Sequence, residues 1–212
     1  MKISEIFFSI QGESTSVGLP CIFIRLAGCN LKCRWCDTTY AQNLEQGEDY
    51  SIEQIISMIK KFNSKLVEIT GGEPLIQEQT PLLLNELLNN GYETLLETNG
   101  SINLEHVNKH IIKIIDVKCP SSAQDGSFLM ENIKFITPID EIKFVIADRK
   151  DYEFSRDFLV RCIKNTTSKI LFAPVHHKMS PKELAKWMLA DALKVRLQLQ
   201  IHKMIWADER GR

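Results

Sequence analysis

"IFIRLAGCNLKCRWCDTTY", residues 22–40, starts as an apolar run broken only by Arg25 and ends in a loop carrying Cys29, Cys33 and Cys36. The opening run, rich in Ile and Phe, reads as a buried strand. A strand that runs directly into ligand-type side chains is the order expected of parallel α/β folds, where the loops at strand carboxyl ends share one rim.

The rest of the chain repeats that order. "LVEIT" (66–70), "YETLLE" (92–97), "KIIDVK" (113–118), "EIKFVI" (141–146), "KILFA" (169–173) and "VRLQLQI" (195–201) read as further strands. "KISEIFFSI" at the start reads as an edge strand or hairpin partner. Helix starts fall between them. Ser51 with Gln54 forms a capping box ahead of Ile52, Ile55, Ile56 and Ile59. Thr80-Pro81 opens a helix that Gly91 stops, Ser180-Pro181 with Glu183 opens another, and 150–165 reads as a third. The stretch 97–140 gives the weakest helical pattern. Strand–helix alternation over 212 residues predicts a single α/β domain, an incomplete parallel β/α barrel or curved open sheet, because a full barrel usually takes about 250 residues. "TGGEP" (70–74), "ETNG" (97–100), "DVKCPSS" (116–122) and "APVHH" (173–177) then join the cysteine loop at strand carboxyl ends.

Composition excludes several classes of function. With 26 Lys and Arg against 27 Asp and Glu, the net charge of −1 gives no electrostatic basis for general binding to nucleic acid or an acidic membrane. No apolar run approaches the roughly 18 residues of a membrane span. "MKISEIFFSIQGES" does not have the pattern of a signal peptide, so a reducing cytoplasm is expected. There, six cysteines do not form a disulfide framework.

Three readings compete for Cys29, Cys33 and Cys36. A disulfide leaves one thiol over. A structural zinc site needs a fourth ligand, and neither Cys21, Cys119, Cys162 nor any histidine stands at a zinc-knuckle spacing. A [4Fe–4S] cluster held by three thiolates leaves one iron open to an outside ligand and agrees best with the ligand set. Cys21, Cys119 and Cys162 then read as small packing residues.

Cys29-x3-Cys33-x2-Cys36, with Trp35 before the last cysteine, resembles the cluster motif of the radical S-adenosylmethionine (SAM) superfamily. The resemblance implies a partial-barrel fold of that type, with SAM chelated at the open iron and cleaved to a 5′-deoxyadenosyl radical. It implies SAM contacts from Trp35, Gly72, Glu73, Glu97, Asn99, Asp116, Val117 and Lys118. Side-chain-free backbone at Gly71 and Gly72 suits close approach of the methionine end.

"IFFSIQGESTSVGLPCIFIRLAGCNLKCRWCDTTY", with "TGGEP", "LETNGS", "DVKCPSS" and "LQIHKMIW", resembles more narrowly the 7-carboxy-7-deazaguanine synthase family. That resemblance implies conversion of 6-carboxy-5,6,7,8-tetrahydropterin to 7-carboxy-7-deazaguanine with loss of ammonia, SAM being regenerated. It implies Mg²⁺ at Thr38 and a substrate-binding segment over 8–25. Ile10, Gln11, Gly12 and Glu13 would meet the pterin edge, Thr70 would add a hydroxyl, and Arg25 would anchor the carboxylate. A flavodoxin or ferredoxin as external electron donor and a homodimer are expected as well.

Two departures from the family pattern stand out: Cys119 where many relatives have proline, and the extra "ADERGR" after Trp206, which prevents carrying over a contact from the last residue. His202 or Lys203 could still line the pocket. The rival readings are an activase that installs a glycyl radical on a protein partner, and a non-catalytic zinc module.

Overall fold

The computed structural model describes residues 1–164 and 166–212. β1 (Lys2–Ile10) and β2 (Pro20–Leu26) form an antiparallel hairpin, and the two-residue β3 (Glu48–Asp49) pairs with the outer side of β1. From β2 onward the pairing is parallel through β4 (Leu66–Gly71), β5 (Glu93–Thr98), β6 (Ile112–Asp116), β7 (Glu141–Ile146), β8 (Lys169–Pro174) and β9 (Arg196–Leu197). The sheet runs in the order β3-β1-β2-β4-β5-β6-β7-β8-β9 and stays open, with a two-residue strand at each edge. Short edge strands leave little unpaired backbone as a template for association.

Helices α1 (Ile52–Ile59), α2 (Thr80–Asn89), α3 (Arg149–Cys162) and α4 (Pro181–Ala190) supply the apolar layer on one face. Their Ile55, Leu83, Leu87, Tyr152 and Leu184 pack with the strand residues Ile24, Ile69, Leu96, Ile115 and Phe144 in the main core. The capping box on α1 is complete: Ser51 Oγ accepts from Gln54 N at 3.2 Å, and Gln54 Oε1 accepts from Ser51 N at 2.7 Å. α2 opens at Thr80, whose hydroxyl donates to the Pro74 carbonyl at 2.6 Å. α4 opens at Pro181, but Ser180 makes no side-chain cap. The helix expected over 150–165 ends at Cys162, and Asn165 lies outside the described residues.

Two expectations fail. Between β5 and β7 the described residues contain no α-helix, only 3-10 turns at Pro120–Ser122 and Met130–Phe135. Asn132 organises this stretch instead: its buried amide donates to the Gly100 and Ile102 carbonyls and accepts from Leu104 N, each at 2.9 Å. The strand expected over 195–201 stops at Leu197, and Ile201 opens a short helix, α5 (Ile201–Trp206). The backbone leaves the sheet there because Ile201 N bonds to the Gly12 carbonyl at 3.1 Å.

The second face of the sheet positions the site. Alternate residues point to it. Near the amino ends of the strands these are Cys21, Phe23, Leu66, Leu95 and Ile114, packed with Phe7 and Ile112 into a small apolar floor. Further along these strands, on the same face by alternation, come Arg25, Glu68, Thr70, Glu97 and Asp116, with Lys143 of β7 paired beside Asp116. All six line the cavity above that floor.

Candidate active site

The loop that leaves β2 is fastened at both ends. Gly28 N donates to the Ala41 carbonyl at 2.8 Å and Cys29 N to the Gln42 carbonyl at 3.0 Å. "TGGEP" braces it from β4. A Cβ at Gly72 would lie 2.2 Å from the Gly28 oxygen and 2.6 Å from Cys29 Cβ, so the second glycine is required by contact with the root of the cysteine loop. Glu73 N bonds to the Gly28 carbonyl at 2.8 Å.

The Glu73 carboxylate, fully buried, accepts from Leu75 N at 3.0 Å, Thr98 Oγ1 at 2.8 Å and Asn99 N at 2.7 Å. Burial raises its pKa, and these bonds only partly offset that. Glu73 therefore ties the β4 and β5 loops together and does not line the cavity. The Val117 side chain is likewise part of the helix-side core, though its amide, bonded to the Lys143 carbonyl at 2.9 Å, keeps the strand end in register. These two of the expected SAM residues stand behind the cavity wall.

The remaining expected residues surround one cavity of about 410 Å³, within the size range of small-molecule sites. Ile10, Gln11, Gly12 and Glu13 enter from the end of β1, and Arg25 and Thr70 from β2 and β4. Cys29, Cys33, Trp35, Cys36 and Thr38 enter from the loop. Gly72, Glu97, Asn99, Asp116 and Lys118 come from the ends of β4, β5 and β6. The five strand-end motifs therefore do meet on one rim, His176 of "APVHH" included.

Burial raises the Cys29 and Cys33 thiol pKa values. Among the described residues no three His, Cys, Asp or Glu side chains converge on a point that one metal ion could fill. A cubane cluster does not require such convergence, because each thiolate binds a different iron. Three soft sulfur donors on one cavity wall, next to a carboxylate with a buried, unpartnered oxygen at Asp116 Oδ1, fit a cluster with a polar ligand beside it. Thr38 Oγ1 donates to Asp37 Oδ1 at 2.8 Å, a pair of hard oxygens suited to Mg²⁺. Lys178 Nζ sits 4.9 Å from the centre of the Trp35 ring.

Several lining groups carry no motif. Lys143, 4 % exposed, reaches Glu13 Oε2 at 2.9 Å, hydrogen-bonds Glu97, and lies 3.8 Å from Asp116 Oδ2. Burial alone would raise the Glu97 pKa, but the Lys143 charge and hydrogen bond outweigh it and hold the group at about 2. Lys118 Nζ pairs with Asp116 at 2.8 Å. Glu13 also accepts from Gln198 at 2.9 Å and Gln200 at 2.7 Å, so the polar side of the last strand and its exit serves the site.

Arg25 Nε donates to Glu5 at 2.8 Å, and Glu5 also accepts from Tyr40 at 2.7 Å and Arg210 at 3.3 Å. Burial pushes Glu5 up, but its Tyr40 and Arg25 bonds hold it below the usual carboxylate range. The tail after Trp206 closes this corner. Arg210 lies over the Tyr40 ring at 3.9 Å, and Asp208 and Arg212 join His202 and Lys203 on the cavity wall. A charged residue inside an apolar strand singles out Arg25, and the same signal was available for Glu68 and Lys143.

Residues 23–117 match the Radical SAM superfamily. A 7-carboxy-7-deazaguanine synthase from Koribacter versatilis is 45 % identical, the alignment covering 99 % of this chain and 98 % of that protein. The synthase of Chlorobaculum tepidum is 42 % identical over 100 % and 97 %. This chain belongs to the 7-carboxy-7-deazaguanine synthase family. The crystal structure of QueE from Escherichia coli shares the fold, with a TM-score of 0.78 at 24 % identity over 94 % of this chain and 93 % of that one. Membership makes the protein a radical SAM enzyme, with a [4Fe–4S] cluster and SAM as cofactors. It disfavours the activase and replaces the zinc-module reading. Among the described residues no helix is long and apolar enough to cross a membrane.

Proposed function

We propose that the protein converts 6-carboxy-5,6,7,8-tetrahydropterin to 7-carboxy-7-deazaguanine with release of ammonia. The observation that carries this reading is that the "QGE" segment and Arg25 open onto the same cavity as the three cysteines. Cys29, Cys33 and Cys36 would hold the cluster, and SAM bound beside it would supply the hydrogen-abstracting radical. Gly72, Glu97, Asn99, Asp116, Lys118 and Trp35 would line the SAM side, with Glu73 and Val117 supporting it from behind. Gln11, Glu13, Thr70 and the backbone of Ile10 and Gly12 would meet the pterin. Arg25 donates Nε to Glu5, which leaves its terminal nitrogens for the substrate carboxylate. Thr38 would hold Mg²⁺ next to that carboxylate. A small flavodoxin or ferredoxin as reductant and a homodimer belong to the same reading.

Anaerobically reconstituted enzyme with SAM, Mg²⁺, reductant and the carboxytetrahydropterin should give a deazapurine product by mass spectrometry. Arg25→Ala should lower kcat/KM by at least about 100-fold, since two charge-assisted hydrogen bonds of about 1.5–3 kcal/mol each are lost. Turnover by that variant at the wild-type rate would remove Arg25 as the anchor.

A further inference from the structure

Glu68 is a buried carboxyl group set among the apolar floor residues. Its strand partners are Phe23 on β2 and Leu95 on β5, both members of that floor, and the residue is 4 % exposed. It has no ion-pair partner among the described residues. The Gln11 side chain makes a close hydrogen bond to it through Nε2. Burial pushes the Glu68 pKa well above the usual carboxylate range, and Glu97 and Glu13 act in the same direction. Burial is the largest influence, and Lys143 and Arg25 only partly oppose it.

Every other polar group of Gln11 except one is occupied. Its side-chain oxygen accepts from Glu13 N at 2.9 Å. Its backbone N–H donates to the Leu19 carbonyl, and its carbonyl accepts from Gly18 N, both at 2.8 Å. The amide is therefore fixed end for end, oxygen to the Glu13 backbone and nitrogen to Glu68. One Nε2 hydrogen remains, on a residue that lines the cavity.

Resting on the carboxypterin reading above, we propose that Glu68 is a positioning residue for substrate specificity, fixing the Gln11 amide so that its free N–H meets a ring acceptor of the pterin. The group read by Gln11 is then an acceptor, a ring nitrogen or carbonyl oxygen, and a ring presenting a donor at that point is rejected because two donors would face each other. Glu68 is suited to the task, because it accepts the Gln11 hydrogen bond from a buried place where its charged form is disfavoured.

The test is a fluorescence titration of oxidised 6-carboxypterin against reconstituted holoenzyme with SAM. Glu68→Leu, which removes the acceptor, should weaken pterin binding about tenfold, the worth of one hydrogen bond. Glu68→Gln, which keeps the acceptor, should restore it to within about twofold. Gln11→Ala should also weaken binding, and adding Glu68→Leu to it should cost nothing more, because Glu68 acts through Gln11. A merely structural role would instead lower the denaturation midpoint of Glu68→Leu, whereas replacing a buried acid by a packed apolar group should leave that midpoint unchanged or raised.

Should Glu68→Leu not fold, the exchanged pair Gln11→Glu with Glu68→Gln keeps the contact and removes the free N–H, so it should bind about tenfold more weakly. Wild-type affinity in that exchange, or an additive loss in the double variant, would overturn the positioning role while leaving the enzyme's activity in place. A wild-type holoenzyme that neither binds the pterin nor forms a deazapurine would overturn the functional reading itself.

Discussion

Replacing Lys143 by methionine tests whether the cavity is held together by charge. The side chain is almost fully buried on β7, and its ammonium touches Glu13 and Glu97 with Asp116 at 3.8 Å. Methionine keeps the stem volume and removes the charge. Of the other cations that act on Glu97, Lys118 is committed to Asp116 and Arg25 to Glu5. Breaking a buried pair by removing one partner costs about 3–5 kcal/mol, since the abandoned carboxylates stay desolvated.

The pH dependence has a definite sign. In the wild type, Glu97 is depressed from 4.5 to about 2, so its contribution is fully present above pH 4.5 and is lost as the pH falls towards 2. In Lys143→Met the depression disappears and burial dominates, so the folded pKa of Glu97 rises above its unfolded value. The variant's deficit should be largest at pH 8 and should shrink towards pH 5 as Glu97 takes up a proton. Urea unfolding of the cluster-free chain, followed by tryptophan fluorescence, reads this directly. With a slope of about 2–3 kcal/mol/M, the midpoint at pH 8 should fall by roughly 1–2.5 M. An unchanged midpoint at pH 8, or a larger loss at pH 5 than at pH 8, would refute the reasoning.

Two further perturbations address the scaffold around the cavity. Gly72→Ala places a Cβ 2.2 Å from the Gly28 carbonyl oxygen, where backbone must shift, so iron and sulfide analysis after reconstitution should find much less than a full cluster. Wild-type iron content would show that the cysteine loop absorbs the displacement. Asn132→Ala strips hydrogen bonds from the Gly100 and Ile102 carbonyls and Leu104 N. A loss of about 3 kcal/mol is expected, which for a chain of this size is a fall in Tm of roughly 6–12 °C by calorimetry.

What could be read from the chain depended on how local the determining physics is. The Ser51–Gln54 capping box joins residues three apart, and it forms as its spelling predicts. "EIKFVI" is apolar enough to be a strand in any surroundings, and β7 covers those six residues. "VRLQLQI" alternates as a strand should, yet its glutamines are there for Glu13, nearly 190 residues away in sequence, and the backbone turns off the sheet to deliver them. The stretch from 97 to 140 shows no periodic face because one buried asparagine holds it in place of a helix. The tail after Trp206 looked like a departure from the family, and only the folded chain shows Arg210 reaching Glu5 and Tyr40.

Alternation along the strands explains why the site sits where it does. On the open face β2 presents Cys21, Phe23 and Arg25, and β6 presents Ile112, Ile114 and Asp116, so apolar side chains fill the amino-end rows and charged ones the carboxyl-end row. A charge moved two residues back along its strand would lie in the apolar floor, where only a neutral or fully bonded group is tolerated. Asp116 and Lys143 are direct strand partners in the upper row and compensate each other there. Glu68 sits one row lower, paired with Phe23 and Leu95, where burial disfavours its charged form and the Gln11 amide gives it a partner of its own. Nothing in the packing of the floor requires a carboxyl there, and the positioning role proposed for it through Gln11 supplies a physical reason for its presence.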